Sequence, residues 1–138
     1  MLSQQPSLLR IGALKAQSNV PIKTIRYYEE LGLIQSAKRT EGGFRLFSPD
    51  VLHRLNFIKR AQSLGLSLQE IGEILAIHDQ GELPCVEVRH KFAAKITEID
   101  HKIEQLALLK AQLQSLIDQV SLPPKQMEGL ICPIIEQL

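Results

Sequence analysis

From Cys85 to Val120 the chain carries no proline and no glycine across 36 residues, with Pro84 just before the run and Pro123-Pro124 just after it. Such a stretch predicts one uninterrupted helix. At the α-helical rise it spans about 54 Å, far longer than a small domain needs. Along it Ile96, Ile99, Ile103, Leu106, Lys110, Leu113, Ile117 and Val120 recur in steps of three and four. That is a heptad seam with one polar interruption at Lys110, where Leu109 can share the contact. A lone amphipathic helix cannot bury this stripe. Either the helix folds back on its own domain, which the length of the seam disfavours, or a parallel or antiparallel coiled-coil partner covers it, most simply a second copy of the chain.

The residues before this helix differ in charge as well as in pattern. Residues 1–60 hold ten Lys/Arg against four Asp/Glu, net +6, and residues 61–138 hold six against eleven, net −5, which the overall +1 conceals. A basic block joined to an acidic remainder fits separate nucleic-acid-binding and assembly parts. Ordinary solvated surface charge is the alternative.

Residues 1–7 read as a loose tail. Ile11, Leu14 and Lys15 open a short helix that Ser18-Asn19-Val20-Pro21 breaks, and Pro21 suits the start of the next helix, where a missing N–H costs nothing. In that second helix Ile22, Ile25, Tyr28 and Leu31 form a core-facing stripe, stopped by Leu31-Gly32-Leu33. Lys23, Arg26 and Tyr27 fall away from the stripe. Helix, tight turn, helix, with cations and a phenol on the exposed face, suits a major groove and its phosphates. With Thr24, these are candidate DNA-binding residues.

The segment SAKRTEGGFRLF, residues 36–47, places Gly42-Gly43 as a hairpin turn and Phe44, Leu46 and Phe47 as strand residues, flanked by Lys38, Arg39 and Arg45. It predicts a two-stranded basic wing, or more blandly an exposed turn. Arg39, Phe44 and Arg45 join the candidate DNA contacts. Ser48-Pro49-Asp50 starts a third helix, Ser48 capping it, with Leu52, Leu55, Ile58 and Phe57 packing inward. Ser67-Leu68-Gln69-Glu70 reads as a capping box for a fourth helix through Ile71, Ile74 and Leu75 to about Ile77. The expected architecture is therefore mainly α. A winged helix-turn-helix domain fills 8–78, a linker fills 79–84, the long helix fills 85–120, and a loop with a short apolar segment fills 121–138.

No apolar run approaches the ~20 residues of a membrane span, and MLSQQPSLLRIG is no secretory signal. Two cysteines suit free thiols better than a disulfide framework. A soluble cytoplasmic protein is expected. His53, His78, His90 and His101 are scattered without a nucleophile, base and acid grouping, so no enzyme is expected.

The motifs IG at 11–12, TIRYYEELGLI at 24–34, GGFRLFSPD at 42–50 and RLNFIKRAQSLGLSLQEIGEIL at 54–75 together resemble the MerR family of transcription regulators, over nearly the whole chain. The resemblance implies an antiparallel coiled coil between two protomers, each winged domain binding half of a palindromic promoter operator. It implies phosphate contacts from Arg26 and Tyr27, Lys23 at the groove, and Phe44-Arg45 anchoring the wing, with Tyr28 packed inward. It also implies a mechanism. The dimer sits between promoter elements spaced too far apart for RNA polymerase, and inducer binding bends and untwists the DNA until they align. Phosphate contacts repay the cost of that deformation.

The thiols bear on the inducer. Cys85 opens the long helix, whose N-terminus favours a thiolate. Cys132 lies beyond the double proline, and an antiparallel coiled coil brings each helix start near the other chain's end. One thiolate from each protomer can then hold a soft cation such as Hg(II) or Cu(I). PC at 84–85 and CPII at 132–135 resemble the metal-sensing branch, that of mercury and of zinc, cadmium or lead. This chain departs from it, however. Where the mercury-type site has a third cysteine, this sequence has Pro123, and SLPPKQMEGLI contains neither Cys nor His. The copper sensors' cysteine-bounded loop and the four-cysteine iron–sulfur cluster are missing as well. His78 and His90 are possible extra ligands for Hg(II), Cu(I), Zn(II), Cd(II) or Pb(II). The alternatives are a redox sensor, including a Cys85–Cys132 cross-link between protomers, or structural cysteines with an organic effector. A coiled-coil adaptor with no DNA role is the remaining class.

Overall fold

The structure, a computed structural model, describes residues 7–119 and 129–136. Residues 1–6 of the tail expected at 1–7, the seam residue Val120 and the loop containing Pro123-Pro124 lie outside the described residues. The elements run β1 (Leu9–Arg10), α1 (Ile11–Ser18), α2 (Ile22–Glu30), β2 (Lys38–Arg39), β3 (Arg45–Phe47), α3 (Asp50–Ser63), α4 (Leu68–Asp79), α5 (Cys85–Gln119) and α6 (Pro133–Glu136). They fall into two compact units, one ending at Val88 and one beginning at Arg89.

In the first unit, the turn between α1 and α2 is closed by its own polar groups. Asn19 takes the left-handed conformation, φ 60°, and its N–H donates to the Lys15 carbonyl at 2.8 Å. Ser18 is buried, donating through Oγ to the Leu14 carbonyl at 2.5 Å and accepting from the Val20 N–H at 3.1 Å. Lys59 Nζ of α3 caps the Ser18 carbonyl at 3.1 Å. These bonds satisfy the Leu14, Lys15 and Ser18 carbonyls and the Asn19 and Val20 N–H groups as the two helices pack. Pro21 precedes α2 as its N-cap rather than its first residue, with φ −58°.

α2 stops as the Leu31-Gly32-Leu33 stretch predicts, through paired bonds from Gly32 N–H to the Glu29 carbonyl (3.0 Å) and from Leu33 N–H to the Tyr28 carbonyl (2.9 Å). This Schellman ending needs a left-handed residue after the cap, and Gly32 supplies it at φ 77°. The same geometry corrects one expectation. Leu31 is the cap itself and lies 47% exposed, while Leu33 and Ile34 beyond the turn are buried. The hydrophobic stripe therefore continues around the corner instead of along the helix.

The wing is three-stranded, in the order β1-β3-β2, not two-stranded. β3 is central and antiparallel to both neighbours, with Leu9 opposite Phe47, Arg10 and Lys38 opposite Leu46, and Arg39 opposite Arg45. Its hairpin turn runs from Thr40 to Phe44. Gly43 N–H donates to the Thr40 carbonyl at 2.9 Å, Thr40 Oγ1 accepts from Phe44 N–H at 3.1 Å, and only Gly43 of the glycine pair is left-handed, at φ 84°.

Phe47 is fully buried with Leu14, Ile25, Leu55, Ile58, Ile71 and Ile74. The N-cap of α3 is Pro49 rather than the expected Ser48, whose Oγ accepts from the Asp50 N–H at 3.4 Å just before the helix. That helix buries Val51, Leu55, Ile58 and Ala61, whereas Leu52 is half-buried and Phe57 is exposed, correcting the expectation that both pack inward. The capping box before α4 is present in both directions. Glu70 N–H donates to Ser67 Oγ at 3.1 Å, and Ser67 N–H to Glu70 Oε1 at 3.0 Å.

α5 is continuous over its 35 residues, about 52 Å, and buries none of them. The seam from Ile96 to Ile117 lies on its surface, with exposures from 53% at Leu113 to 64% at Leu106 and Ile117. In the second unit, α6 is held by a carboxylate that reaches back over its own start. Glu136 Oε2 accepts from the N–H groups of Ile131 and Cys132, each at 2.7 Å. Among the described residues no helix is long and apolar enough to cross a membrane.

Candidate nucleic-acid interface and thiol positions

α2 presents its polar face because burial of Ile25 and Tyr28 fixes its rotation. Lys23, Arg26 and Tyr27 are exposed and Thr24 is half-buried. Tyr28 points inward, and its hydroxyl donates to Gln62 Oε1 of α3 at 3.0 Å. Burial raises the pKa of this phenol, opposed by that hydrogen bond. Tyr27, its neighbour, is 49% exposed. Adjacent tyrosines thus divide their work, one anchoring α2 to α3 and the other meeting whatever the helix meets.

The wing is dense in cations. Arg39 and Arg45 stand opposite each other across β2 and β3, a like-charge pairing that costs stability unless each cation finds a partner. Arg39 Nη1 donates to the Gly43 carbonyl at 3.2 Å. Arg45 Nε forms an ion pair with Glu29 of α2. The close approach of that carboxylate accounts for an Nε that is buried without a well-angled hydrogen bond. One glutamate of the RYYE stretch therefore ties α2 to the wing. Phe44 is 63% exposed at the tip.

One residue escaped the sequence reading. Arg10, at the end of β1, places its guanidinium carbon 5.9 Å from the Phe44 ring centroid. It lines a small crevice of about 90 Å³ together with Ile11, Arg26, Gly43, Phe44 and Arg45. The only signal in the sequence is a cation directly before the Ile11-Gly12 pair.

A larger cavity of about 680 Å³ is lined by Asp50, His53, Arg54, Phe57, Ile74, Leu75, His78, Asp79 and Pro84. Arg54 spans one side of it, with Nε donating to the Leu33 carbonyl at 2.9 Å and Nη1 and Nη2 reaching the two Asp79 oxygens at 2.6 and 3.2 Å. The hydrogen bond from Arg54 lowers the Asp79 pKa, and the charges of Arg54 and His78 act in the same direction against partial burial.

Cys85 is exposed at the first position of α5, Cys132 is half-buried just before α6, and neither is in a disulfide. His78 lies at the end of α4 and lines the larger cavity, and His90 is exposed on α5. Among the described residues, no three of His, Cys, Asp and Glu gather closely enough to hold a metal ion. Cys85 belongs to the first unit and Cys132 to the second. Two thiols are too few for a closed four-thiolate cage.

Comparison with known proteins yields two family models, "MerR HTH family regulatory protein" over residues 9–76 and "MerR, DNA binding" over residues 52–116. The mercuric resistance operon regulatory protein of Bacillus cereus is 41% identical over 129 residues, covering 94% of this chain and 96% of that protein. Among solved structures, the transcription regulator PbrR691 of Ralstonia metallidurans CH34 in complex with lead(II) superposes with a TM-score of 0.75 at 33% identity, covering 85% of this chain and 91% of that one. The dual-function regulator MerR of Bacillus megaterium MB1 in complex with mercury(II) gives a TM-score of 0.63 at 36% identity, covering 94% and 98%.

Proposed function

This chain belongs to the MerR family of helix-turn-helix regulatory proteins, and on that premise we propose that it is a promoter-binding homodimer that distorts DNA in response to a soft metal ion. The observation that carries the reading is the contrast between an exposed cationic face on α2 and the wing, and an α5 seam that the single chain leaves uncovered. The first suits a phosphate backbone. The second suits another copy of the same helix, and the family resemblance orients that copy antiparallel. RNA polymerase at the same promoter is then the machinery whose alignment the dimer controls.

For the effector, two supports converge. Regulators similar over nearly the whole chain are named for mercury resistance or bound to lead(II) or mercury(II), and this chain keeps two thiols, Cys85 and Cys132. Cys85 of one protomer and the partner's Cys132 would form a two-thiolate site at each end of the dimer. Two thiolates match the preference of Hg(II) or Cu(I) for few, soft ligands. Zn(II), Cd(II) or Pb(II) would need further donors, for which His78 and His90 are the candidates.

The test is anaerobic titration of the reduced protein with each of the five ions, followed by thiolate charge-transfer absorption. One soft ion bound tightly per protomer, and lost in both Cys85→Ser and Cys132→Ser, is the expected result. Unchanged binding in both variants, or none in the wild type, removes the metal reading and leaves an oxidant or an organic molecule as the effector to be tried.

A further inference from the structure

The crevice beside the wing is small, about 90 Å³. Three of its six lining residues are arginines and none is acidic. They come from three separate elements, Arg10 from β1, Arg26 from α2 and Arg45 from β3. Glu29, paired with Arg45, offsets one of the three charges, so a surplus of two remains. Like charges held together by the fold raise the free energy of the empty crevice and lower it again when an anion enters.

Each arginine is also held in place. Arg45 is pinned through Nε by Glu29. Arg10 lies within cation–π range of the Phe44 ring. Arg26 stands on α2, whose rotation is fixed by the burial of Ile25 and Tyr28. α1 begins at Ile11, also a lining residue, with no side-chain cap and no acidic residue in its first turn. The positive end of that helix adds to the arginine charges. A planar guanidinium fork suits the oxygens of a phosphate better than a lysine point charge does.

We propose that Arg10, Arg26 and Arg45 close together on a single phosphodiester of the DNA backbone, with Arg10 supplied from β1, outside both the helix-turn-helix and the hairpin. This rests on the reading of the chain as a DNA-binding regulator and assigns that interface a contact the sequence motifs do not contain. It also gives the exposed Phe44 a role. The ring is a platform that holds Arg10 over the crevice, not a reader of bases. The phosphate held here fixes the wing and α2 on the same backbone position, so sequence discrimination is left to the groove-facing residues.

The experiment measures binding of the full chain to two unrelated fluorescent duplexes across a range of salt, for wild type, Arg10→Ala and Arg10→Lys, with a thermal melt of each protein. Arg10 makes no side-chain cap bond and is exposed, so the melts serve to show that each variant is folded. Arg10→Ala should weaken binding to both duplexes by a similar factor and reduce the slope of log K against log salt by about one per protomer bound. Arg10→Lys should restore the slope while recovering only part of the affinity, because the charge returns without the fork. If the wild type binds both duplexes and Arg10→Ala matches it in slope and affinity, the clamp is overturned while the DNA-binding reading stands. If inorganic phosphate raises the melting temperature of the wild type but not of Arg10→Ala, and DNA binding is identical, the crevice takes a small anion and the backbone assignment is overturned. A wild type that binds neither duplex at any salt overturns both.

Discussion

α4 and α5 carry apolar residues at the same three- and four-residue spacing and meet opposite fates. Ile71, Ile74 and Leu75 of α4 are buried to 5% exposure or less, while Ile96, Ile99, Ile103 and Leu106 of α5 are at least 54% exposed. Spacing decides which face of a helix is apolar, not whether the chain can cover it. α4 is 12 residues long and packs on α3 within a unit that also supplies Phe47 and Ile58. α5, at 35 residues, is too long for a small domain to follow. An uncovered seam of that length is a surface waiting for another helix.

Substitution on the two faces should therefore separate assembly from folding. The largest effect is expected from Ile103→Glu, at mid-seam. In a symmetric dimer the change occurs twice, and burying two unpaired carboxylates should weaken dimerisation by at least ~100-fold. Sedimentation should show the mass falling to that of one chain, and DNA affinity should fall with it because two half-sites are no longer held together. A variant that remained dimeric would show that the seam is not the dimer face. On the covered side, Ile74→Ala removes a fully buried side chain and should cost about 2–5 kcal/mol of folding stability. A denaturant titration checks this. A cost below ~1 kcal/mol would mean that α4 is packed far more loosely than its burial indicates.

The comparison also marks what was legible in the sequence. The Ser67–Glu70 capping box, the stop at Gly32 and the inward Tyr28 all follow from local rules, because their partners are within a few residues or on the same helix face. Leu31 was misplaced because a Schellman turn diverts the chain at the moment when simple periodicity would carry it on. Phe57 was misplaced because Val51 and Ala61, a smaller pair, complete the α3 stripe instead. The third strand could not be read at all. β1 is two residues long and exists only through pairing with Phe47 and Leu46, more than 35 positions away. Arg10 went unnoticed for the same reason, since its meaning depends on Arg26, Phe44 and Arg45 being brought to it. The Glu29–Arg45 ion pair likewise explains an acidic residue beside the cations of α2 only after folding. Cys85 and Cys132 were legible as residues. A ligand for them is not legible in one chain, because the proposed site draws on two.

The smallest expected effect lies where α4 gives way to the linker before α5. Arg54 bonds the Leu33 carbonyl and both oxygens of Asp79, so one side chain joins the end of α2, the middle of α3 and the last residue of α4. The hydrogen bond from Arg54 lowers the Asp79 pKa below its ordinary value of 3.8. A carboxylate depressed in the folded state contributes stability that is complete above its unfolded value and is lost as pH falls through the lower folded value. The Asp79 side chain is 53% exposed, so solvent screening limits the contribution to a fraction of ~1 kcal/mol. Asp79→Asn should accordingly melt slightly below the wild type at pH 5, and the gap should narrow as pH falls below 3.8. Asp50, His53, Arg54 and His78 line the same cavity and are present in both proteins, so the difference between the two melts reads Asp79. A gap that persisted unchanged at pH 3 would assign the effect of Asp79 to shape rather than charge. The end of α4 would then be held on α3 by packing, as the rest of α4 is, and not by the ion pair.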